Sequence, residues 1–423
     1  MAGLSLFRLS SEADRALRAR DYSRAAELYS SALEHPSISA AQRAALLTNF
    51  GLACQGLNQI DKAMAAFAEA VRDNPNLAAA QTSLGTVYAQ QGRYDLALEH
   101  FDAALKLEPQ SAIAHTNRGL GLEGLGRLEE AWQELEWRYR IPTAASFYPY
   151  RYTKPRWNGE PLDGRTLLVH REQGLGDVIQ HLRFLPQLLE RFGGPVLFEC
   201  PQPILPLVTR RLHLHVVPAE ARPVSEGLFD CYVPLLSLAR ILGCKREDLA
   251  ALCPYVETNG SHANVSNGTA GREGRGISIG VVWSARGAER NVPLGAFLRL
   301  LSSDCRLTAL QKEVNEAEAL VLSAHGIRNA GPDFRHFGDT RDAIISLDAI
   351  VAVDTAVAHL AGALSRPVWL LVNDPAPVRW TMHGTSSRWY PTIRIIRRRG
   401  EEPWDPLLAA VGTQIRREIG SRG

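Results

Sequence analysis

Apolar and polar positions along residues 350–364 predict a strand, a tight turn and a helix in direct succession. Residues 350–353 are apolar and mostly β-branched, which is typical of a strand buried on both faces of a parallel sheet. Asp354 and Thr355 end the apolar run, and both residue types are favoured at the N-cap of a helix. Residues 356–364 follow with strong helix formers.

The turn after this strand has the position at which open α/β sheets bind ligands, outside the carboxyl ends of the strands. Free N–H groups at the start of a helix attract anions, and phosphate above all. The Asp354 carboxylate can instead accept hydrogen bonds from sugar or ribose hydroxyl groups. On the local pattern alone, an ordinary capped helix in an α/β fold is the favoured interpretation, and a ligand-binding turn is the alternative.

A similar succession is predicted near the start of the C-terminal part of the chain. Residues 166–170 form an apolar strand, and a helix follows over 178–191. Gly174 and Gly176 in the intervening loop allow a tight turn and the close approach of a ligand. Asp177 lies at the start of the helix, again at the carboxyl end of a strand. A lone Gly-x-Gly fragment does not specify a ligand class.

Strands and helices alternate from residue 165 onward, which indicates two α/β domains, at 165–257 and 277–423. Residues 258–276 are rich in Gly, Asn, Ser and Thr and are predicted to be a flexible interdomain linker. Residues 146–164, rich in Pro, Gly and aromatic side chains, form a connecting segment. A terminal helix over 404–419 is expected to brace the first domain. Other predicted strands are 195–200, 213–217, 230–233, 277–283, 306–310, 367–372 and 393–396, and other predicted helices are 204–211, 235–242 and 297–301.

The first 145 residues contain an internal repeat with a period of 34 residues. A regular succession of Gly, Ala, Phe and Pro at this period is typical of about four tetratricopeptide repeats, each made of two helices. Small residues let the helices approach, and a Phe or Tyr side chain is expected to fill the gap between repeats. The positions that keep the spacing are Gly51, Gly85 and Gly119; Ala63, Ala97 and Ala131; Phe67 and Phe101; and Pro75 and Pro109.

Asn49, Ser83 and Asn117 occupy one repeat position, on the first helix of consecutive repeats. Stacked repeats form a concave groove that commonly binds an extended peptide. In O-GlcNAc transferase, whose repeats these resemble, asparagines on the groove wall hold a peptide backbone. Ser83 interrupts that ladder here, and solvated asparagines are an equally good interpretation. The groove is predicted to bind a protein acceptor or a partner protein.

Composition places the chain among ordinary globular proteins, since 45% of its 423 residues are hydrophobic and 22% are charged. The net charge of +2 gives no general attraction to nucleic acid or to a membrane surface. No apolar run approaches the length of a transmembrane helix, and no signal peptide is recognised. The six cysteines are scattered without a C-x-x-C pair, which favours a reducing compartment. We therefore expect a cytoplasmic protein with no nucleic-acid partner and no transmembrane segment.

Two further features have both a functional and a structural interpretation. His213 and His215 point to one face of a predicted strand, but no third ligand is in view, so we expect a structural role and no metal site. Arg397, Arg398 and Arg399 are interpreted as a solvated strand end in preference to a site for an acidic ligand.

Seven short motifs follow one another in the part of the chain from residue 160 onward. They are Glu172-Gln-Gly-Leu-Gly-Asp177, Ile279-Gly-Val-Val-Trp283, Arg290-Asn-Val-Pro-Leu294, Ala309-Leu-Gln-Lys312, Asp354-Thr-Ala-Val-Ala-His-Leu-Ala-Gly362, Pro367-Val-Trp369 and Trp389-Tyr-Pro391. In order and spacing they resemble the motifs of glycosyltransferase family 9, the ADP-heptose–lipopolysaccharide heptosyltransferases. The chain is more similar still to bacterial proteins that join tetratricopeptide repeats to such a domain.

The resemblance implies a GT-B fold, with the acceptor on the first domain and a nucleotide-sugar on the second. The predicted fold class is therefore α + α/β, an N-terminal tetratricopeptide α-solenoid followed by a GT-B type pair of Rossmann-like α/β domains. The resemblance also implies inversion by a single displacement, with no metal and no cofactor beyond the nucleotide-sugar co-substrate.

By the same resemblance, Asp177 is the general base that takes the proton from an acceptor hydroxyl group. Gln173, Gly174 and Gly176 belong to the same acceptor-side loop. Backbone N–H groups of the donor loop would contact the diphosphate, and basic side chains, including Arg286, would neutralise it as it leaves. The implied donor-binding residues are Trp283, Arg290, Gln311, Lys312, Asp354, Thr355, Ala356, Val357 and His359.

Two loops that should border the donor depart from the family pattern. The loop at residues 284–290 is shorter than in relatives of the family. The loop at residues 373–378 lacks an Asp-Trp-Arg-Trp sequence before Trp380. Three functions therefore remain open. The first is a protein glycosyltransferase whose acceptor is held by the repeats; flagellin is the leading candidate, because similar repeat-linked transferases act on bacterial flagellins. The second is a repeat scaffold with an inactive α/β part, and the third is a glycan-directed transferase in lipopolysaccharide or capsule assembly.

Overall fold

The chain forms two compact units, Met1–Ala144 and Ala145–Gly423. The predicted linker at 258–276, apart from Gly276, lies outside the described residues, as do residues 146–151 of the predicted connecting segment. The computed structural model describes residues 5–141, 152–192, 194–208, 214–219, 223–257, 276–380 and 384–420.

Consecutive helices of the first unit pack in four pairs. A serine or aspartate side chain caps the first three helices, for example Ser39, which forms a capping box with Gln42. The last pair ends in a short 3-10 helix, Leu135–Arg140. The helices are α1 Leu6–Arg18, α2 Tyr22–Leu33, α3 Ala40–Gly56, α4 Ile60–Asp73, α5 Ala78–Gln90, α6 Tyr94–Leu107, α7 Ala112–Leu125 and α8 Leu128–Glu134.

The glycines that keep the repeat period lie where the two helices of a pair approach each other. A Cβ atom added at Gly85 would lie 2.8 Å from Cε1 of Phe101 and 3.0 Å from the carbonyl oxygen of Ala97. Phe101 is fully buried. The small residue lets the helices approach as predicted, and the aromatic ring packs on it within the pair α5 and α6; Gly51 with Phe67 repeats this contact between α3 and α4.

Replacing Gly85 with Ala is expected to destabilise the first unit by about 1–3 kcal/mol, because the buried Phe101 ring has to move. This loss should exceed the gain of roughly 1 kcal/mol in helix propensity that the substitution brings. The measurement is chemical denaturation followed by far-ultraviolet circular dichroism. Gly295→Ala, in the second unit, is the control for a Gly-to-Ala change without a clash, because a Cβ atom there meets nothing within 4 Å. Equal stability of the Gly85→Ala variant and the wild type would contradict this packing account.

The second unit contains two parallel sheets, and we call the parts built on them the first half and the second half. The four-stranded sheet of the first half has the order β3-β2-β1-β4. Its strands are β1 Leu167–His170, β2 Val196–Pro201, β3 His215–Ala219 and β4 Cys231–Pro234. The helices of the first half are α9 Leu175–His181, α10 Leu185–Phe192, α11 Leu238–Ile241 and α12 Asp248–Ala251.

The six-stranded sheet of the second half has the order β10-β9-β8-β5-β6-β7, and all its neighbouring strands are parallel. The strand β8 is buried at all five positions, as its apolar sequence predicts. The strands are β5 Ile277–Val282, β6 Cys305–Ala309, β7 Arg328–Asn329, β8 Ala349–Val353, β9 Val368–Asn373 and β10 Ile393–Arg398. The helices are α13 Leu294–Phe297, α14 Glu316–Ala324, α15 Phe337–Ile345, α16 Ala356–Ala363 and α17 Trp404–Gly420.

In each sheet the strand order reverses direction at one point. The chain runs from β1 through β2 to β3 and then returns to place β4 on the other side of β1. In the second half, β6 and β7 lie on one side of β5 and β8 lies on the other. Ligands of open α/β sheets bind outside the carboxyl ends of the strands at such switch points. The loops that follow β1, β5 and β8 are therefore the places in which a site is expected.

The structure corrects several predicted elements of the second unit. The helix predicted over 178–191 is broken by a 3-10 turn at Leu182–Phe184, and the helix predicted from residue 204 is a 3-10 helix, Gln202–Leu207, in which Pro206 cannot donate a backbone hydrogen bond. The helices α14 and α15 were not predicted. The terminal helix α17 packs its apolar face into the core of the second sheet, so it braces the second half and not the first.

Candidate functional site

The helices α9 and α16 pack against each other and bring the loop after β1 close to the loop after β8. Their contact is close because residue 176 is glycine. A Cβ atom at Gly176 would lie 2.9 Å from Cδ2 of His359 and 3.7 Å from Cα of Ala356. The close approach that Gly176 permits in this structure is therefore between the two halves of the unit.

Asp177 lies in the first turn of α9, where both of its carboxylate oxygens have a partner. The backbone N–H of Gly174 donates to Oδ2 at 3.1 Å, and Nη1 of Arg379 donates to Oδ1 at 2.7 Å. Burial on its own would raise the pKa of Asp177, but the positive charge of Arg379, together with the neighbouring His359 and His181 and the N–H bond of Gly174, holds the pKa below its ordinary value. The carboxylate is therefore ionised, as a general base has to be, but it is engaged in an ion pair.

Asp354 and Thr355 connect β8 to α16 and leave the start of that helix without a side-chain cap. Thr355 is the N-cap residue, but its hydroxyl group donates to the carbonyl oxygen of Val353 at 3.2 Å and caps no N–H group. The expectation that these side chains cap the helix is therefore wrong. The N–H groups of the first turn, on Ala356 and Val357, are available to an anion in the way that helix N-termini bind phosphate.

Arg290 is the basic side chain that the structure brings to this helix start. Its Nη1 atom lies 3.6 Å from Oδ2 of Asp354, and its side chain is 36% exposed. Arg290 ends a short 3-10 helix in the loop after β5, which is the strand next to β8. A partly exposed guanidinium at the switch point is suited to neutralise a phosphate group.

His359 is buried between the halves, 1% exposed. Its Nδ1 atom is bonded to the hydroxyl group of Tyr390 at 2.9 Å, and its ring packs against Trp380 with the ring centroids 5.1 Å apart. Burial lowers the pKa of His359 to about 4, so the ring is neutral near pH 7. His359 was predicted to contact the donor, but in this structure it packs α16 against Gly176 and the segment before β10.

Arg183, which the sequence analysis did not identify, joins three segments of the second unit. Its Nη1 atom donates to the carbonyl oxygens of Leu249 at 2.9 Å and Trp389 at 2.8 Å. Its guanidinium also lies over the rings of Tyr255 and Tyr390. Arg183 is 1% exposed, so these contacts replace water for a fully buried cation. The first half is held against the second half in this way.

Three predicted donor-binding residues have other partners in the structure. Trp283 is buried, and its Nε1 atom donates to Oε1 of Glu318 at 2.6 Å. Gln311 is also buried and accepts a hydrogen bond from the backbone N–H of Ser284 at 3.1 Å. Lys312 donates to the carbonyl oxygens of Pro332 and Phe334. The geometry assigns these three residues to packing and loop support, because their polar groups are directed at the protein itself.

Gln173 and Gly174 have backbone roles in the loop that precedes Asp177. Gln173 has a φ of 56°, a left-handed conformation that is uncommon for a residue with a side chain, and it is exposed. Gly174 is the N-cap residue of α9 and provides the N–H that orients Asp177. The loop is thus shaped around the carboxylate.

The predicted groove asparagines of the first unit are engaged with neighbouring side chains. Nδ2 of Asn49 donates to Oδ1 of Asp14 at 3.2 Å, and Nδ2 of Asn117 donates to Oγ1 of Thr86 at 3.0 Å. Ser83, like both asparagines, is half-buried. The amide groups are neither purely solvated nor fully open, so a peptide ligand has to share or replace these bonds.

Other expected features are reported for the described residues only. No three His, Cys, Asp or Glu side chains in the described part of the chain are grouped to hold a metal ion. His215 is exposed at the start of β3, and His213 lies outside the described residues. No helix in the ranges that the structure describes is both long enough and apolar enough to cross a membrane.

Arg379, the partner of Asp177, was also missed by the sequence analysis. It lies in the loop between β9 and β10, directly before Trp380, which is fully buried. A basic residue beside an aromatic one in a loop carries no spacing signal. Its contact with Asp177 depends on how the two halves pack, and no local pattern reports that packing.

A sequence profile of tetratricopeptide repeats matches residues 48–112 and 82–145. Residues 48–145 are tetratricopeptide repeats. The first unit is thus a helical repeat solenoid of this kind, and it is followed by the parallel α/β sheets of the second unit.

Among curated proteins, the chain is similar to protein FlbA of Caulobacter vibrioides, with 23% identity over 333 residues. The match covers 70% of this chain and 53% of FlbA, so the chain spans about half the length of this relative. Because 70% of 423 residues exceeds the length of the repeat unit, the similarity extends into the second unit.

Several solved structures of repeat proteins show a partial likeness. A crystal structure of MamA has 21% identity and a TM-score of 0.29, covering 32% of this chain and 77% of MamA. The structure of YrrB, described as a tetratricopeptide repeat protein with an unusual peptide-binding site, has 22% identity and a TM-score of 0.28, covering 33% of this chain and 69% of YrrB.

Proposed function

We propose that the second unit transfers a sugar from a nucleotide-sugar to a hydroxyl group of a protein acceptor that the repeats recruit. One observation carries this proposal. An ionised, half-buried aspartate, Asp177, and an uncapped helix start with Arg290 beside it lie at the switch points of two parallel sheets, and α9 and α16 bring them together. Sugar transfer from a nucleotide-sugar requires a base for the acceptor hydroxyl group and an anion site for the diphosphate that leaves.

The nucleoside diphosphate is assigned to the second half. Backbone N–H groups of Ala356 and Val357 bind its phosphates, and Arg290 neutralises them. Asp354 accepts hydrogen bonds from hydroxyl groups of the ribose or the sugar. This arrangement matches the donor loop that the resemblance to the heptosyltransferases implies, and a GT-B arrangement of the two halves is part of the proposal.

The chemical step is a single displacement with inversion. Asp177 takes the proton of the acceptor hydroxyl group while its oxygen forms a bond to the anomeric carbon of the sugar. The bond between that carbon and the diphosphate oxygen breaks, and the nucleoside diphosphate leaves with the bonding electrons. Arg290 and the first N–H groups of α16 stabilise the charge that develops on the leaving group.

The repeat unit is the reason for proposing a protein as the acceptor. Tetratricopeptide repeats commonly bind peptide or protein partners, and here they precede the transferase unit in one chain. Binding of an acceptor by the repeats would raise its effective concentration at Asp177 without any added contact at the site. A protein acceptor, with flagellin as the first to test, is therefore favoured over a lipopolysaccharide or capsule acceptor.

Binding of a nucleotide is the first expected outcome. One of ADP, UDP, GDP, CMP and dTDP at millimolar concentration should raise the unfolding midpoint of the purified chain, because a ligand of the native state stabilises it by mass action. A micromolar site gives about 4 kcal/mol of stabilisation at a thousandfold excess over its Kd. The Asp354→Ala variant should lose this shift, whereas Asp333→Ala, which removes an exposed aspartate outside the site, should keep it.

A second function is favoured by the three predicted donor residues that have internal partners, Trp283, Gln311 and Lys312. In this alternative the chain is a repeat scaffold and the second unit has no donor site. The nucleotide panel separates the two functions, since the scaffold shows no shift with any nucleotide. The search would then turn to protein partners of the repeat unit.

A further inference from the structure

The ion pair between Asp177 and Arg379 joins the proposed base of the first half to a loop of the second half. The pair is short, 2.7 Å between Oδ1 and Nη1, and both side chains are mostly shielded, with 16% of Asp177 and 28% of Arg379 exposed. The other carboxylate oxygen is bonded to Gly174. In this state the carboxylate meets a guanidinium where an acceptor hydroxyl group would have to lie.

The position of Arg379 is fixed by its neighbour in sequence. Trp380 is fully buried against His359 of α16, so the backbone of this loop is anchored beside the proposed donor helix. The side chain of Arg379, which is partly exposed, remains the adjustable part. An arginine side chain has several rotatable bonds, so its guanidinium can change partners without movement of the anchored backbone.

The loop with Arg379 also lies at the edge of the sheet where the diphosphate is expected. It follows β9, which pairs with β8 in parallel register up to Val353 and Leu371. The carboxyl ends of β8 and β9 therefore open at the same edge, beside the uncapped start of α16. A diphosphate bound there offers a guanidinium more negative charge than a single carboxylate does, and it can also be bound bidentately.

We infer that Arg379 exchanges between two anions, pairing with Asp177 in the absence of a donor and with the donor diphosphate when it is bound. Donor binding then releases Oδ1 of Asp177 to accept the proton of the acceptor hydroxyl group. Arg379 is thus a positioning residue that makes the base available only after the donor is in place. This inference rests on the proposed function.

The exchange makes the affinity for the diphosphate depend on Asp177, which a static ion pair does not. If the diphosphate has to take Arg379 away from Asp177, the carboxylate competes with the ligand for the guanidinium. By linkage, removal of that competitor strengthens ligand binding. Loss of the negative charge at residue 177 also strengthens the binding of an anion by simple electrostatics. A gain in affinity therefore supports the exchange only if it requires Arg379.

The test is calorimetric titration of the full chain with the nucleoside diphosphate that gives the largest stabilisation in the nucleotide panel. The Asp177→Asn variant should bind it about fivefold or more tightly than the wild type, in the usual range of coupling between sites. The Arg379→Ala variant should bind it about tenfold or more weakly, since it loses a charge-assisted contact. In the Asp177→Asn/Arg379→Ala double variant, the gain from Asp177→Asn should disappear.

Three results would overturn the exchange. They are an unchanged affinity in Asp177→Asn, an unchanged affinity in Arg379→Ala, and a gain from Asp177→Asn that persists in the double variant. Arg299→Ala, which removes an exposed arginine paired with Asp405, is the control and should bind as the wild type does. The Arg379→Lys variant, which keeps the charge, should recover part of the affinity and shows whether a loss in Arg379→Ala reflects misfolding. If the wild type binds no nucleotide, the proposed function fails together with this inference, whereas binding without coupling removes the inference alone.

Discussion

Replacing Asp177 with Asn is expected to abolish glycosyl transfer while the chain remains folded and still binds a nucleoside diphosphate. An amide cannot take the proton of the acceptor hydroxyl group, and general base catalysis contributes about 10²–10⁴-fold to such reactions. Asn can still accept the N–H bond of Gly174 that places residue 177. The measurement is the intact mass of flagellin from a host strain that lacks this chain and is complemented with the wild type or the variant.

The same experiment distinguishes a protein acceptor from a glycan acceptor. A mass increase of flagellin with the wild type alone supports a protein acceptor, whereas a change confined to lipopolysaccharide or capsule would assign a glycan acceptor. Asp333→Asn, a change of an exposed aspartate with no part in the site, should complement fully. Full modification of the acceptor by the Asp177→Asn variant would show that Asp177 is not the base.

Replacing Arg183 with Ala is expected to destabilise the second unit by about 3–5 kcal/mol, the combined cost of two lost buried hydrogen bonds and of the cavity that a large-to-small substitution leaves. The carbonyl oxygens of Leu249 and Trp389 would lose their shared donor, and a cavity would open between the rings of Tyr255 and Tyr390. Tryptophan fluorescence during chemical denaturation measures this loss, because six of the eight tryptophans lie in the second unit.

Arg191→Ala is the matched control for this prediction. Arg191 lies in the next helix and donates to a single carbonyl oxygen, that of Leu242, at 2.8 Å, but it is exposed. Its loss should cost less than about 1 kcal/mol, since a single hydrogen bond from an exposed side chain contributes little net stability. Equal effects of the two substitutions would mean that Arg183 does not hold the halves together.

The helices of the repeat unit could be predicted because their signal is periodic. Gly85 and Phe101 recur at the same repeat positions as Gly51 and Phe67, and each such pair is one packing contact. The strand and helix at 350–364 were predictable for a similar reason, since burial on both faces demands an unbroken apolar run. Short 3-10 segments such as Gln202–Leu207 were not, because a few residues carry no period.

The candidate site was only partly predictable. Asp177 and Asp354 were identified because each lies where a strand gives way to the following helix, and parallel strands place such turns at one edge. Trp283 also follows a strand, yet its ring turns into the core and is bonded to Glu318. The position after a strand indicates the edge of the sheet, but the direction of the side chain depends on packing that is distant in sequence.

Arg379 and Arg183 could not be predicted as site or packing residues either. Both connect the first half to the second half, over separations of 202 and 206 residues in the contacts with Asp177 and Trp389. Neither belongs to a motif with a spacing that signals its role. Contacts of this kind are fixed only when the two sheets pack, so the structure was needed to find them.

A crystal structure of the chain with its preferred nucleoside diphosphate tests the central claim most directly. The diphosphate should accept hydrogen bonds from the first N–H groups of α16, with Arg290 in contact and Arg379 turned from Asp177 toward the phosphates. Oδ1 of Asp177 should then be free of Arg379 and open to an acceptor hydroxyl group. A nucleotide bound at any other place, with the start of α16 making no contact to phosphate, would contradict the proposed donor site.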